Sequence, residues 1–248
     1  MKKLLFVLMA CAAIFAVSCN KDDSSKKKSG DKTNKYEAPI KIDGDFADWA
    51  AIDESKMSIA KCNPKSGYMD LSLMKVYCDE LYLYVYIEYD FAKWVAGETP
   101  VTASKFDMVF NCDNDQSTGG YSGTWDDTPC FDALVEGHFI LGGNYEDYVP
   151  GIFKWDGEAQ SPDWLWGDED PASQFLKEAK FVPGEDKGAA ELKFDLYQYP
   201  WGYDSVKETF TLGAFICTNG DDATGALPNK ASDDSVTPNK HLTVHMNK

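Results

Sequence analysis

Arginine is missing altogether: all 24 basic residues among the 248 are lysines. The guanidinium is the planar, five-donor fork with which proteins usually grip phosphates and carboxylates, so its absence argues against a ligand built on either. Histidine is scarce, limited to His138, His241 and His245. No G-x-S-x-G elbow, P-loop or G-x-G-x-x-G occurs, which removes the usual sequence marks of hydrolase, nucleotide and dinucleotide chemistry. His241 and His245 have the spacing of a helical metal pair, yet Leu242-Thr243-Val244 reads as strand. Four residues along a strand separate two side chains by roughly 13 Å, too far to share an ion. The seven cysteines include no close C-x-x-C pair, so a cysteine-held metal has no supporting spacing. Amphipathic helix patterns are also lacking; only Phe46 to Ala51 offers about one turn.

What is present begins with a short apolar segment, Leu4 to Val17, behind Lys2 and Lys3. It falls short of the roughly 20 residues a bilayer-spanning helix needs and has the parts of a secretion signal. Its end, Ala16-Val17-Ser18-Cys19, resembles the lipobox cut by lipoprotein signal peptidase. The expectation is an exported lipoprotein in which residues 1–18 are removed and Cys19 carries the lipid, an acyl anchor to the membrane. From Asn20 to Lys35 the chain holds no aromatic or aliphatic side chain. Such a segment buries too little apolar surface to offset its ordering entropy and reads as a disordered tether. Its start, Lys21-Asp22-Asp23, is similar to the signal that sends some lipoproteins to the outer face of the outer membrane, which predicts cell-surface display.

Residues 36–248 read as one β-rich domain. Sixteen lysines against 38 acids leave it at a formal −22. That field repels nucleic acid and anionic membranes and suits neutral or cationic partners. Five cysteines fall here, Cys62, Cys78, Cys112, Cys130 and Cys217. Export permits disulfides, but Cys112 and Cys217 sit inside apolar strand patterns, where a thiol behaves as a small hydrophobe. Core thiols are expected, with at most one or two bridges.

The periodicity is that of strands. Leu81, Leu83, Val85 and Ile87 alternate with Tyr82, Tyr84, Tyr86 and Glu88, a period of two. With 71–78 across Asp79-Glu80 this predicts a hairpin. Further strands are predicted at 38–42, 56–61, 105–112, 131–141, 148–155, 177–182, 189–196, 207–217 and 241–246. Many short strands separated by Gly, Asp, Asn and Pro clusters predict an all-β, two-sheet antiparallel β-sandwich.

Three pieces carry a family resemblance. Ile40-Lys41-Ile42-Asp43-Gly44-Asp45-Phe46-Ala47-Asp48-Trp49 resembles the I-D-G-x-x-x-D-W opening of family 9 carbohydrate-binding modules and their relatives. The hairpin through Asp79-Glu80-Leu81-Tyr82-Leu83-Tyr84-Val85 is similar to their next strand pair. Asp113-Asn114-Asp115-Gln116-Ser117-Thr118-Gly119, followed by Asp132-Ala133-Leu134-Val135-Glu136-Gly137, resembles their D-x-D-x-x-T-G … D-x-L-x-E-G block. Together these cover about residues 38–140. The resemblance implies a sandwich of immunoglobulin-like or jelly-roll type that binds glycan without catalysis, as surface glycan-utilisation lipoproteins do.

Candidate residues follow. Asp113, Asp115 and Ser117 place oxygens at alternate positions, the pattern by which a tight loop wraps a hard cation. Asp132 from the next strand could complete the set, with calcium favoured over zinc; the competing reading is a hairpin loop of Asx-turns holding no ion. Sugar binding leaves exposed flat aromatics, and Trp94, Trp125, Trp164, Trp166 and Trp201 all fall in or beside predicted loops. Trp49 reads as core, and the Tyr82, Tyr84, Tyr86 stripe as sheet packing. Acidic pairs are too common to single out a glycosidase, and Met and His show no pairing of a haem-binding sandwich. The leading expectation is a non-enzymatic surface lipoprotein that binds a neutral oligosaccharide or polysaccharide near an outer-membrane uptake complex. The alternative is a structural or partner-docking envelope subunit with no sugar ligand. A concave aromatic cleft would favour the first, a flat apolar patch or a buried tryptophan set the second.

Overall fold

The computed structural model describes residues 36–63, 65–90, 100–171, 173–184, 187–198, 206–229 and 240–248. Cys19 and its tether, Trp94 and Trp201 lie outside the described residues. No helix among the described residues is long and apolar enough to cross a membrane.

One short helix, α1 (Ala47–Ala51), precedes β1 (Met57–Lys61), β2 (Leu71–Cys78), β3 (Tyr82–Tyr89), β4 (Ala103–Asn111), β5 (Ala133–Leu141) and β6 (Asn144–Tyr145). Then come β7 (Gly151–Trp155), β8 (Trp166–Glu169), β9 (Leu176–Val182), β10 (Gly188–Asp195), β11 (Thr209–Thr218), β12 (Ala223–Leu227) and β13 (Leu242–His245). They form two antiparallel sheets packed as a sandwich. The five-stranded sheet runs β1-β2-β3-β10-β9, and the eight-stranded one runs β12-β11-β4-β5-β7-β8, with β13 on β11 and β6 on β5.

Strand alternation decides which side chains meet. On β4, Phe106, Met108 and Phe110 enter the core between the sheets, beside Val135 and Phe139 of β5 and Leu212, Ala214 and Ile216 of β11. Aromatic edges lock this core: Phe110 meets Phe175 at 5.4 Å and Phe194 at 5.6 Å, and Phe139 stacks on Phe181 at 4.6 Å. The predicted hairpin forms, its turn held by Asp79 Oδ1, which accepts from the amides of Leu81 and Tyr82 at 2.8 Å each. Cys78, Cys130 and Cys217 are free thiols, and these three and Cys112 are buried.

The predicted strand at 38–42 is corrected: this segment joins no ladder. Its apolar alternation comes instead from lying over the outer face of the five-stranded sheet. There Ile40 and the buried Trp49 of α1 pack on Tyr84, with Tyr77, Tyr82 and Tyr86 around them. The tyrosine stripe is therefore packing. β6, β8 and β12 carry no alternating apolar pattern and escaped the sequence. β12 (Ala-Thr-Gly-Ala-Leu) is short and small-residued because it passes close to β2: a Cβ on Gly225 would lie 2.4 Å from the Leu71 amide nitrogen.

Candidate functional site

The same alternation that feeds the core sends Lys105, Asp107 and Val109 of β4 to the opposite, outer face of the larger sheet. Glu136 of β5 and Phe215 of β11 flank Asp107 in register on either side. An outer sheet face must be covered or solvated, and here the chain between β4 and β5 folds back over it. Val109, Leu134, Phe215, Cys217 and Ala226 make a second, smaller core beneath Trp125 and Phe131. Two local features allow this. A Cβ on Gly213 would come within 2.5 Å of the Trp125 ring, so β11 carries the one residue that lets the indole lie against the sheet. At Gly119, with φ +63°, a Cβ would lie 2.4 Å from the Phe131 carbonyl oxygen, and the Gly120–Phe131 bridge closes the loop there.

Trp125 is corrected by this packing. It is 2 % exposed, its indole N–H donates to the Pro228 carbonyl, and its ring meets Phe131 at 5.7 Å and His241 at 5.6 Å. It has no face left for a ligand. Trp164 differs: it is 47 % exposed and stands edge-on to Tyr121 at 4.7 Å and to Trp166 at 5.9 Å. Trp166 backs it from β8 and packs at 5.3 Å on Trp155.

Between these rings and the sheet lies a cleft of about 600 Å³. Tyr68, Tyr121, Trp164 and Phe215 form its aromatic wall, and Lys105, Asp107, Thr124, Glu136, Asp221 and Asp222 its polar lining. Lys105 Nζ lies 2.9 Å from Asp221 Oδ1 and 3.6 Å from Glu136 Oε2. Asp107 is 1 % exposed, and neither carboxylate oxygen has a hydrogen-bond partner; the buried Thr124 hydroxyl has none either. Burial, reinforced by the charge of Glu136, pushes the Asp107 carboxyl well above the usual carboxylate range. Burial likewise raises the Tyr121 hydroxyl, with the Asp107 charge adding to it. The cleft thus joins apolar ring surface to acceptors in a water-poor setting, a combination suited to a ligand with both C–H faces and hydroxyls.

The acidic loop is organised by its own hydrogen bonds. Asp113 Oδ1 accepts from the Asp115 amide at 2.8 Å, and Asp115 Oδ1 from the Ser117 amide at 2.8 Å and its hydroxyl at 2.6 Å. Asp132 Oδ2 accepts from the Cys112 amide at 2.9 Å. Burial, then the charge of Asp113, pushes Asp132 up to about 7. Among the described residues no three His, Cys, Asp or Glu side chains are grouped so as to hold a metal ion.

One arrangement was not legible in the sequence. Cys130 Sγ lies 3.9 Å from His241 Nδ1, and His241 Nε2 lies 2.9 Å from Asp127 Oδ1. The order matches nucleophile, base and orienting acid, but Cys130 is 2 % exposed and burial pushes its thiol up to about 11. A thiol kept protonated and covered is a packing group. His245 instead meets the Thr209 hydroxyl at 3.0 Å.

Comparison with known proteins returns no matching family model and no matching curated sequence. The family resemblance therefore stands on the motifs quoted above.

Proposed function

We propose that this chain is a surface-displayed lipoprotein, anchored through Cys19 to the outer membrane, whose outer-face cleft holds a neutral glycan without catalysis, in position to serve an uptake complex. The observation that carries this reading is Trp164: half-exposed, braced edge-on by Tyr121 and Trp166, and lining the same cleft as Asp107 and Glu136. A braced indole loses little freedom when a sugar ring stacks on it, which lowers the ordering cost of binding. The lack of arginine and the −22 charge of residues 36–248 support a neutral polymer over a sulfated or uronic one.

The test is isothermal titration calorimetry against cello-, malto-, manno- and xylo-oligosaccharides. At least one series binds, its affinity varies little with salt because no ion pair is screened, and Trp164→Ala removes on the order of 2 kcal/mol. If no series binds, the docking-subunit reading replaces this one.

Calcium at the loop of Asp113, Asp115 and Ser117, with Asp132 behind it, is a separate proposal. Its support is the raised carboxyl of Asp132, lifted first by burial and then by the charge of Asp113, both of which a divalent cation would offset. An ion bound only by the folded state at a hundredfold excess over Kd stabilises by about 2.7 kcal/mol. Chelation then lowers the melting temperature, and Asp113→Ala abolishes the difference. Melting indifferent to chelator and to added calcium removes the ion and leaves the Asx-turn loop.

A further inference from the structure

The cleft floor carries unspent hydrogen-bonding capacity. Asp107 offers two oxygens and Thr124 one hydroxyl, all buried, all without a partner, and both residues line the same cavity. Buried polar groups in folded proteins are nearly always paired, so such orphans mark a strain reservoir or a place where a ligand supplies the partner. The chain has a cation close by and does not use it here: Lys105 Nζ is drawn to Asp221 at 2.9 Å and to Glu136 at 3.6 Å.

The chemistry of the two groups differs, and the difference selects a ligand class. Once ligand donors hold it ionised, the Asp107 carboxylate accepts only, and its two oxygens suit two donors side by side. The Thr124 hydroxyl both donates and accepts, so it can bond only a group that offers a lone pair or a proton in turn. An ammonium donates but cannot accept from Thr124. A sugar hydroxyl does both, giving its proton to Asp107 and receiving one from Thr124.

Resting on the glycan reading above, we propose that Asp107 and Thr124 are the specificity-determining pair of the cleft, reading two adjacent hydroxyls of a sugar ring whose C–H face stacks on Trp164. Ring stacking and hydroxyl contacts then come from different side chains of one cleft, so a monosaccharide unit enters in one orientation. Sites built to hydrogen-bond a hydroxyl reject the analogue lacking it far more strongly than apolar pockets reject a missing methylene, because their own buried groups are left unpaired.

The experiment uses the whole chain and the tightest-binding of the four oligosaccharide series, together with its monodeoxy derivatives. Asp107→Asn and Thr124→Val each lower affinity by roughly tenfold or more, while the melting temperature holds or rises, since neither group loses a partner within the fold. A purely structural role predicts the reverse, unchanged affinity with lower melting. On the wild type, one deoxy derivative loses affinity comparably, and its loss shrinks in Asp107→Asn because the contact is already gone. That deoxy series reads the contact even if a variant fails to fold. Normal binding by both variants, or tighter binding of an amino sugar than of its neutral parent, overturns the proposal while leaving the glycan reading intact. Absence of binding by every neutral sugar to the wild type overturns both.

Discussion

Each sheet of this sandwich buries a carboxylate on its outer face, and the chain treats the two in opposite ways. Glu191 on β10 is fully buried and accepts from the Gly44 amide at 2.7 Å and the Trp49 indole at 3.3 Å. Both donors come from the 38–52 segment that lies over the five-stranded sheet. Asp107 on β4, equally buried under the loops of the eight-stranded sheet, has neither oxygen in a well-formed hydrogen bond, and the Gly137 amide offsets only part of its burial. The first covering is a lid that completes the fold; the second closes over a cavity and leaves its acid waiting. Burying a charge without a partner costs folding free energy, and proteins tolerate such costs mainly where a site needs them. The contrast separates a carboxylate bonded into the fold from one left over, although the chemical group and the burial match.

The largest effect should come from the closed lid. Trp49→Ala removes a buried indole and one of the Glu191 donors, and denaturant unfolding should show a loss of about 3–5 kcal/mol. Trp164→Ala, on the open side, should stay within about 0.5 kcal/mol of wild type. Equal losses would break the comparison.

A smaller change tests the carboxylate itself. Glu191→Gln turns one acceptor oxygen into an NH₂ that faces an N–H donor of Gly44 or Trp49, and stability should fall by about 1–3 kcal/mol. A neutral outcome would mean that the lid holds by apolar contact alone.

The smallest effect is expected at Asp107, with the sign reversed. Its folded pKa lies above the ordinary value, so between the two the native state keeps a proton that the unfolded chain releases. The wild type therefore loses stability as pH rises out of the ordinary carboxylate range. Burial, Glu136 and Asp221 oppose ionisation there, and Lys105 and the Gly137 amide favour it. Asp107→Asn does not titrate, so its advantage should be near zero at about pH 4 and grow toward neutrality, to on the order of 1 kcal/mol. Parallel melting profiles across that range would show that Asp107 is ordinary.

Much of the fold was legible along the chain. Period-two stretches such as Leu81 to Glu88 signal a strand because one face must be apolar. The tyrosine stripe was readable as packing from the same period, and Trp49 as core from its place in the opening motif. Periodicity misleads where alternation arises without a ladder, as at Ile40 and Ile42, and is silent where a strand lacks bulk, as in β12. The tryptophans show the limit most clearly. Trp125 and Trp164 both sit in turn-rich loops and look equivalent in sequence, yet one is sealed against Gly213 and the other is half in solvent.

By itself the sequence determined the β class, the two-faced strands, the acidic field and the absence of any arginine-built anion site, because these depend on composition and local period. Only the tertiary structure decided which outer face closes and which stays hollow. That choice rests on where the 38–52 and 112–132 segments land, and on whether their donors reach the acid beneath. Hydrogen bonds span residues as distant as Trp49 and Glu191, and an unmade one, such as that missing at Asp107, leaves no mark in a linear pattern.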